Sequence, residues 1–439
     1  MKRALLINPW IYDFKAYDFF LKPLGLLYLA SYLRENNFQI DFIDCLDRNH
    51  PLILKNFKIK KDKYGRGKFP YTFIEKPAVY KDIKRRYKRY GMPIEIFNEI
   101  IEDIKEPDYI FLTSVMTYWY LGTFEMIRIL KKRFKAPIIL GGIYPTFYYE
   151  HAKKYSQADI VIKGRFEKEL PKYFDNLPKK EFFSLPYPAY DLYSKLDYSC
   201  ILTSLGCPYN CPYCGVRYLT NNYQIRKAED VLAEIKEYQK RGIKNIVFYD
   251  DALLLNPEFK KLLKLIIQEK LELNFHTPNG LHPKYLDEET CYLMKKANFQ
   301  TIYLSLETTD LELQIKLGDK VRTKDFLKAY NNLINAGFLE EEIEVYLLIG
   351  LPNQTIESVK KSIEFLLPLK VKIHLAEYSP IPYTEIAKNL PNINEPLLTN
   401  NIIFPCLNEK ERKEVEELKS WLHKITARHS PQNNTLLPS

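Results

Sequence analysis

Residues 199–214 have the sequence SCILTSLGCPYNCPYC, in which an apolar strand is followed at once by Cys207, Cys211 and Cys214. Cysteine thiolates are the preferred protein ligands of iron–sulfur clusters. Gaps of three and two residues let one loop wrap three corners of a 4Fe–4S cubane, and the fourth iron stays open for a ligand. We therefore predict that these three thiolates bind a 4Fe–4S cluster.

Zinc is the alternative metal for this motif, but a zinc site needs a fourth ligand, usually from a second Cys or His pair. The sequence has no second CxxC and no HxxxH pair, so only the isolated His276 or Cys291 could be recruited. The seven cysteines are an odd number, and three of them lie within eight residues. This usage is typical of metal binding in a reducing compartment, and we expect a cytoplasmic protein without disulfides.

The sequence after residue 199 alternates between strands and helices. Its apolar runs predict strands over 199–204, 245–250, 273–277, 301–306, 343–349 and 372–378. Six βα units are too few to close a barrel, so we predict a partial (β/α)6 barrel over 199–382. Residues 383–439 are predicted to form a tail with one amphipathic helix at about 408–428. Active sites of such barrels lie at the C-terminal ends of the strands, where the cysteine motif also falls.

The first 174 residues show the same alternation, with predicted strands over 3–8, 39–44, 108–114, 137–141 and 159–162. The fold class is therefore α/β throughout, and this first domain is a doubly wound, Rossmann-like parallel sheet. Ligands of such sheets bind in the crevice at the carboxyl ends of the strands. Residues 175–198 contain three prolines and little periodicity, which predicts an interdomain linker.

The formal net charge of +10 is concentrated in a basic insertion at about 47–100. Within it, residues 55–90 carry 14 Lys or Arg and three acidic residues, together with eight aromatics. Such a mixture can bind nucleic acid or another anion, but it is more often a solvated segment that packs its tyrosines on the protein body. The second interpretation is favoured, and a nucleic-acid partner is not expected. No apolar run is long enough to span a bilayer.

The CxxxCxxC motif with an aromatic residue before its last cysteine resembles that of the radical S-adenosylmethionine (SAM) superfamily, and the resemblance extends over residues 199–382. It implies that Tyr213 lies near the adenine of SAM. Asp250 and Asp251 stand where the family has a Gly-Gly-Glu-like turn that holds the methionyl amine. Ser305 and Glu307 correspond to a pair that contacts the ribose or methionine moiety. Ile349 belongs to a segment, 346–352, that packs on the adenine.

Three candidate site residues have an alternative structural role. Strand-end carboxylates such as Asp250 and Asp251 are costly to bury unless they are used, but either could instead cap the following helix. Arg322 could bind the methionyl carboxylate of SAM, or it could form a surface ion pair. The segment 379–384, SPIPYT, resembles the family's SPxPGT pattern with Tyr383 in place of glycine.

The N-terminal domain resembles the cobalamin-binding domain fused to many radical SAM enzymes. The resemblance is carried by Asn8-Pro9, Pro23-Leu24-Gly25, residues 141–146 and residues 163–167. Arg165 and Phe166 depart from the family's GEGE-like element, and no Asp-x-His-x-x-Gly follows the first strand, so we expect cobalamin without an axial histidine. A domain that has lost cobalamin remains the alternative. The expected contacts are Asn8, Gly25, Thr113, Ser114, Gly141, Gly142, Thr146 and Gly164.

These resemblances imply an enzyme that cleaves SAM reductively to a 5′-deoxyadenosyl radical. With cobalamin, the favoured reaction is methylation of an unactivated carbon. The alternatives are a cobalamin-free rearrangement or dehydrogenation and, from another class, a nucleic-acid-binding iron–sulfur protein. The family implies a reductant such as flavodoxin or ferredoxin, and the substrate is an unidentified small or lipid-like molecule.

Overall fold

The computed structural model describes residues 1–220 and 222–428. Its strands are β1 Lys2–Asn8, β2 Ile11–Asp13, β3 Phe38–Asp44, β4 Tyr71–Phe73, β5 Lys88–Tyr90, β6 Tyr109–Ser114, β7 Ile138–Gly142, β8 Ile160–Val161, β9 Ser199–Ile201, β10 Ser204–Leu205, β11 Gln224–Ile225, β12 Asn245–Phe248, β13 Asn274–Leu281, β14 Phe299–Glu307, β15 Ile343–Ile349 and β16 Lys372–Glu377. Its α-helices are α1 Leu24–Glu35, α2 Pro51–Asn56, α3 Ile94–Glu102, α4 Tyr120–Arg133, α5 Ile143–Phe147, α6 Tyr149–Tyr155, α7 Phe166–Glu169, α8 Val216–Leu219, α9 Ala228–Lys240, α10 Phe259–Gln268, α11 Glu288–Lys296, α12 Leu311–Lys316, α13 Thr323–Asn335, α14 Ile356–Leu366 and α15 Glu409–Arg428. Within these ranges, no helix combines the length and apolar character needed to cross a membrane.

The first sheet has five parallel strands in the order β3-β1-β6-β7-β8. Alternate side chains of β1 enter two different apolar clusters: Ala4 and Leu6 pack with α1, whereas Leu5 and Ile7 pack with α4. Both faces of the sheet are therefore covered by helices, which explains why successive residues of β1, β6 and β7, and not only alternate ones, are apolar.

The second sheet has six parallel strands in the order β16-β15-β14-β13-β12-β9. β9 and β16 are its two edges and do not pair with each other, so the sheet is open. All six predicted strands are present; the first, predicted over 199–204, ends as β9 at Ile201, whereas β13 and β14 extend beyond the predicted ends. The predicted α/β fold with parallel sheets is confirmed.

The proline-containing segment 175–198 packs between the two sheets. Tyr190, Tyr193 and Tyr198 are buried. The Tyr190 hydroxyl accepts from the Cys200 amide at 2.7 Å, and the Tyr193 hydroxyl donates to Asp44 at 2.6 Å. One apolar cluster contains side chains of both sheets and of this segment. The segment is thus a packed connector, and it lacks periodicity because isolated aromatic side chains, not a helix face, hold it in place.

The basic insertion folds onto the protein body, as the favoured interpretation predicts. β4 and β5 join β2 in a three-stranded antiparallel sheet, and Tyr64, Tyr80 and Tyr87 are buried. The Tyr64 ring lies 4.6 Å from the His276 ring of β13. The Tyr80 hydroxyl donates to the Leu397 carbonyl of the tail at 2.6 Å, so the insertion also anchors the C-terminal segment.

Of the predicted tail helix, α15 begins at Glu409 and is described to Arg428; residues 429–439 lie outside the described residues. The chain between β16 and α15 runs back over the N-terminal domain. There Asn400 donates to the buried Asp13 at 3.0 Å and the Tyr148 hydroxyl donates to the Ile393 carbonyl at 2.9 Å. Burial raises the pKa of Asp13 to about 6, although its hydrogen bonds to Asn400 and Trp119 oppose the shift.

Candidate active site

The cysteine motif forms a loop that begins directly after β10. Gly206 starts it with a φ of +82°, and a Cβ atom there would lie 2.6 Å from the Thr220 hydroxyl, so this turn requires glycine. The Cys214 amide donates to the Cys211 carbonyl at 3.0 Å, which folds the loop back on itself. Cys207, Cys211 and Cys214 are free thiols, and one loop carries all three.

The three thiols are held in their uncharged form by their surroundings. Burial raises the pKa of Cys207, Cys211 and Cys214, the last to about 11; neighbouring cysteines add to the shift at Cys207 and Cys214, and Glu307 adds to it at Cys211. A thiolate at this loop therefore needs a compensating positive charge, which a bound metal supplies.

The donor set fits a 4Fe–4S cluster better than a zinc ion. Within residues 1–220 and 222–428, no three His, Cys, Asp or Glu side chains converge as ligands of one metal ion. In a cubane, each cysteine binds a different iron atom, so the thiolates surround the cluster and need not meet at the distances that one metal ion requires. His276 contacts Phe20 and Asn245 in the core, and Cys291 is buried in α11, so neither supplies the fourth ligand that zinc requires.

Asp250 and Asp251, which follow β12, have different surroundings. Asp250 is buried, and its carboxylate accepts from the amide and hydroxyl of Thr203 at 3.0 and 2.7 Å and from the Ser204 hydroxyl at 2.7 Å. It thus fixes the segment that leads into the cysteine loop. Asp251 lines a cavity, and burial together with the charge of Asp250 raises its pKa to about 6. The helix-cap alternative is wrong for both residues, because Ala252 is the N-cap residue of the 3-10 turn Leu253–Leu255 and Glu258 is that of α10.

A second acidic group, Glu307, contacts the cysteine loop from the end of β14. Its Oε1 atom accepts from the Tyr213 hydroxyl and from the Lys320 ammonium, each at 3.1 Å. Glu307 has a φ of +66° at a register shift of the β14–β15 pairing, and this uncommon conformation aims its side chain at the loop. Burial lowers the pKa of Lys320, but Glu307 and the nearby Cys211 outweigh it and raise that pKa, so Lys320 is a cation.

Lys320 was not predicted from the sequence, whereas Arg322 was. Arg322 forms an ion pair with Asp319 and precedes α13 as its N-cap residue, so the structure shows the ion-pair alternative and does not bring this side chain to the cysteine loop.

Ser305 is buried against Gly280, where a Cβ atom would lie 2.2 Å from the Ser305 hydroxyl oxygen. Ile349 is fully buried in the core.

A cavity of about 350 Å³ lies between the two sheets, and we call it the crevice. Its barrel-side wall includes Leu205 and Thr220, which flank the cysteine loop, and Asp251. Its other wall comes from the N-terminal domain and contains six of the eight predicted contacts: Gly25, Thr113, Gly141, Gly142, Thr146 and Gly164. The other two do not line it: Asn8 donates to Asp44 at 2.7 Å, and the Ser114 hydroxyl donates to the Met116 carbonyl at 3.3 Å.

The crevice fits a flat macrocycle with amide side chains, as cobalamin is. Cβ atoms added to Gly25 or Gly141 would meet no atom closer than 4.0 Å, so side chains there would project into the empty crevice. Glu167 lines the same wall and is fully buried. Arg165 binds its Oε1 atom, whereas Oε2 has no hydrogen-bond partner among the residues that the structure describes. A buried acceptor without a donor is costly, and an amide N–H of a bound ligand would satisfy it.

Residues 201–366 match the family model of the Radical SAM superfamily. The chain contains a radical SAM domain. It is 23% identical over 406 residues to an uncharacterized methyltransferase of Pyrococcus horikoshii, covering 83% of this chain and 77% of the relative. It is also 26% identical over 262 residues to the hopanoid C-2 methylase of Rhodopseudomonas palustris, covering 53% of this chain and 48% of that protein. The chain therefore spans about half the length of this second relative.

Solved structures extend the similarity beyond the radical SAM domain. The radical S-adenosylmethionine methyltransferase TsrM of Kitasatospora setae, solved with cobalamin and a [4Fe-4S] cluster bound, has a TM-score of 0.63 and 17% identity over 89% of this chain and 78% of that one. The cobalamin-dependent S-adenosylmethionine radical enzyme OxsB has a TM-score of 0.58 and 13% identity, covering 97% of this chain and 56% of that one. The fold of both domains is thus one that cobalamin-dependent radical SAM proteins also have.

One further residue of the radical SAM domain borders the cysteine loop without having been predicted to do so. His282 follows β13, and its ring stacks on Tyr209 of the loop with centroids 4.9 Å apart. Burial, assisted by Lys320, lowers its pKa to about 3, so the imidazole is neutral. Nothing in the sequence distinguishes this histidine from one in an ordinary turn. Glu167 and Lys320 likewise could not be recognised as site residues from the sequence.

Proposed function

We propose that this chain is a radical SAM enzyme that methylates an unactivated carbon with the help of cobalamin. Cys207, Cys211 and Cys214 bind the 4Fe–4S cluster, and the crevice receives the corrinoid. The observation that carries the proposal is the crevice itself: one cavity is walled by the flanks of the cysteine loop and by the glycine-rich strand ends of the N-terminal sheet. Two cofactors held on its two walls share one space for a substrate.

The proposed domain division follows from this arrangement. Residues 1–174 form the cobalamin-binding, Rossmann-like domain with its basic insertion at about 47–100. Residues 199–382 form the partial (β/α)6 barrel, 175–198 connect the two, and 383–439 are the tail. The open edge between β9 and β16 supports the description as a partial barrel.

The residues around the cysteine loop are proposed to bind and orient SAM. Asp251 accepts the methionyl amine, and Lys320 takes the place of Arg322 as partner of the methionyl carboxylate. Glu307 orients Lys320 and Tyr213 through its two 3.1 Å contacts. Asp250 fixes the position of the segment before the loop by accepting hydrogen bonds from Thr203 and Ser204. When bound, the cluster supplies the electron that breaks a carbon–sulfur bond of SAM and yields the 5′-deoxyadenosyl radical, with an external reductant such as flavodoxin or ferredoxin as the electron source.

On the opposite wall, Gly25 and Gly141 leave room for the corrin ring, and Glu167 accepts a hydrogen bond from one of its amides. The Thr146 hydroxyl donates to the Gly142 carbonyl at 2.7 Å and accepts from the Gly164 amide at 3.2 Å, so it fixes the wall's shape. The cobalt chemistry is the cofactor's own; the protein excludes water and positions the ring.

The experiment is anaerobic reconstitution with iron, sulfide and hydroxocobalamin, followed by gel filtration. We expect about four iron atoms per chain and one corrinoid in the protein peak, and 5′-deoxyadenosine after addition of SAM and dithionite. A folded, cluster-loaded protein that forms 5′-deoxyadenosine but carries no corrinoid would contradict the methyl-transfer proposal and favour a cobalamin-free radical reaction. Absence of cluster and of 5′-deoxyadenosine would contradict the whole proposal.

A further inference from the structure

A second cavity, of about 520 Å³, adjoins the crevice, and we call it the vestibule. The two cavities are neighbours, because their walls have six residues in common: Thr146, Gly164, Arg165, Leu205, Leu219 and Thr220. The two walls differ in their charge: the crevice is lined by the carboxylates of Glu167 and Asp251 and by one cation, Arg165, whereas the vestibule is lined by three cations, Lys163, Arg165 and Lys168, and one carboxylate, Glu169. This difference in charge indicates that the two neighbouring cavities receive chemically different groups.

The aromatic part of the vestibule wall is built from Tyr218 and Tyr383. Their ring centroids are 5.9 Å apart, and the Tyr218 hydroxyl donates to the Tyr383 carbonyl. Tyr383 has a φ of +71° and is 53% exposed. A bulky side chain in the left-handed region is strained, and such strain persists where the surrounding structure or a function requires it. The Tyr383 ring is not buried in a core that would require this conformation, which points to a role in binding a ligand.

The charged part of the vestibule wall has an excess of positive charge. Within the part of the chain that the structure describes, no carboxylate forms an ion pair with Lys163, whose ammonium lies 6.0 Å from the ring centroids of Tyr149 and Tyr383. Lys168 has only the exposed Glu181, at 3.7 Å. The acidic wall residue, Glu169, is already paired with Lys172 at 2.7 Å.

We propose that the vestibule binds the anionic end of the substrate, an inference that rests on the proposed function. A carboxylate or phosphate group lies between Lys163 and Lys168, and a flat apolar body packs on Tyr218 and Tyr383. The rest of the molecule then extends into the crevice, which places its reacting carbon between the two cofactor walls. The substrate is thus an amphipathic anion.

Two matched fluorescent probes test this: 8-anilinonaphthalene-1-sulfonate, which is anionic, and N-phenyl-1-naphthylamine, which lacks the charge. Each is titrated at low salt into the cluster-reconstituted full chain. We expect the double variant Lys163→Met/Lys168→Met to bind the sulfonate about tenfold more weakly, since each exposed ion pair contributes up to about fivefold, and to bind the neutral probe within about twofold of the unsubstituted chain. Displacement of the sulfonate by benzoate or by phenyl phosphate distinguishes a carboxylate from a phosphate ligand.

Two further variants separate a binding role from a structural one. Tyr383→Gly is expected to weaken both probes while the melting temperature stays the same or rises, because glycine relieves the positive φ. Lys154→Met is the control, since Lys154 lies 4.9 Å from the ring of the exposed Tyr155 on α6, outside the vestibule; it should change nothing.

Three results would overturn the inference: no saturable sulfonate binding, no loss in the double lysine variant, or an equal loss for the neutral probe. The proposed function has a separate readout, the formation of 5′-deoxyadenosine. If that product forms normally while the probes fail to discriminate, the vestibule assignment alone is wrong. If neither cluster nor product forms, the proposed function fails whatever the probes show.

Discussion

The two sides of the crevice are built in opposite ways. On the barrel side, Asp251 lines the crevice, and charges and hydrogen bonds surround the adjoining cysteine loop: Asp250 accepts from four donors of Thr203 and Ser204, and Glu307 contacts both Tyr213 and Lys320. The N-terminal wall has few polar contacts: Gly25 and Gly141 leave open space, and among the described residues the buried Oε2 atom of Glu167 has no hydrogen-bond donor. A small charged ligand needs fixed charges, whereas a large flat one needs space and few contacts. The difference indicates which cofactor belongs on which wall.

The largest effect is expected for the cysteines. Replacing Cys207, Cys211 and Cys214 with Ala should abolish the cluster and its visible charge-transfer absorption, because no other thiol shares the loop. Iron and sulfide analysis after reconstitution measures this. Replacing Cys291, which is buried in α11, with Ala is the control and should leave the iron content unchanged. A triple variant with the original spectrum would show that the cluster binds elsewhere.

The N-terminal wall is tested by filling its empty space. Gly141→Leu should prevent hydroxocobalamin from co-eluting with the protein, since the added side chain projects into the crevice, while iron content stays normal. Gly141→Ala is the matched control: it changes the backbone preference in the same way but adds only one carbon atom. We expect it to lose less than about tenfold in corrinoid affinity, a cost on the order of 1 kcal/mol. Equal retention of corrinoid by both variants would remove this wall from the site.

The barrel side of the site is tested at two neighbouring cations, Lys320 and Arg322. Lys320→Met should weaken SAM binding more than tenfold, because a charge-assisted hydrogen bond contributes about 1.5–3 kcal/mol. Arg322→Met, two residues away, should have little effect, since Arg322 is engaged by Asp319 at the start of α13. Equilibrium dialysis of SAM against the cluster-loaded variants measures both. The reverse order of effects would restore Arg322 as the carboxylate partner.

A smaller effect is expected from pH. Burial raises the pKa of Asp251 to about 6, so its carboxylate is charged above that pH and protonated below it. A contact with the methionyl amine is then present above pH 6 and lost below it, and SAM affinity should fall several-fold between pH 7.5 and pH 5.5. In Asp251→Asn, the affinity should be lower and this pH dependence absent. An unchanged pH profile in that variant would exclude Asp251 as the titrating group.

The smallest effect is expected for Glu167. Glu167→Gln keeps the size of the side chain but removes the charge that binds Arg165. The amide oxygen can still accept from a corrin amide, so we expect a loss of corrinoid affinity of only a few-fold, about 1 kcal/mol. Glu167→Ala should lose more, and comparison of the two separates the acceptor role from the ion pair. A gain of affinity in Glu167→Ala would contradict the role.

The sequence by itself determined the features that depend on local pattern. The spacing of Cys207, Cys211 and Cys214 predicted the cluster loop. The alternation of apolar strands and amphipathic helices predicted both parallel sheets, because strand and helix periods are properties of short segments. Glycines at strand ends predicted the crevice wall, and six of the eight residues expected there line it. The basic insertion was also interpreted correctly as packing on the body, since buried tyrosines hold it there.

Tertiary structure alone decided which of two neighbouring side chains faces the site. Asp250 and Asp251 are adjacent, yet Asp250 accepts from Thr203 and Ser204 beneath the loop, and only Asp251 lines the crevice. Lys320 and Arg322 are separated by a single residue, yet the start of α13 and Asp319 engage Arg322, and Glu307 engages Lys320. Which side chain faces the site depends on partners that are distant in the chain, and the local sequence pattern contains no information about them. Residues 175–198 show the same limit: they resemble a linker in sequence because their tyrosines pack against sheets formed elsewhere in the chain.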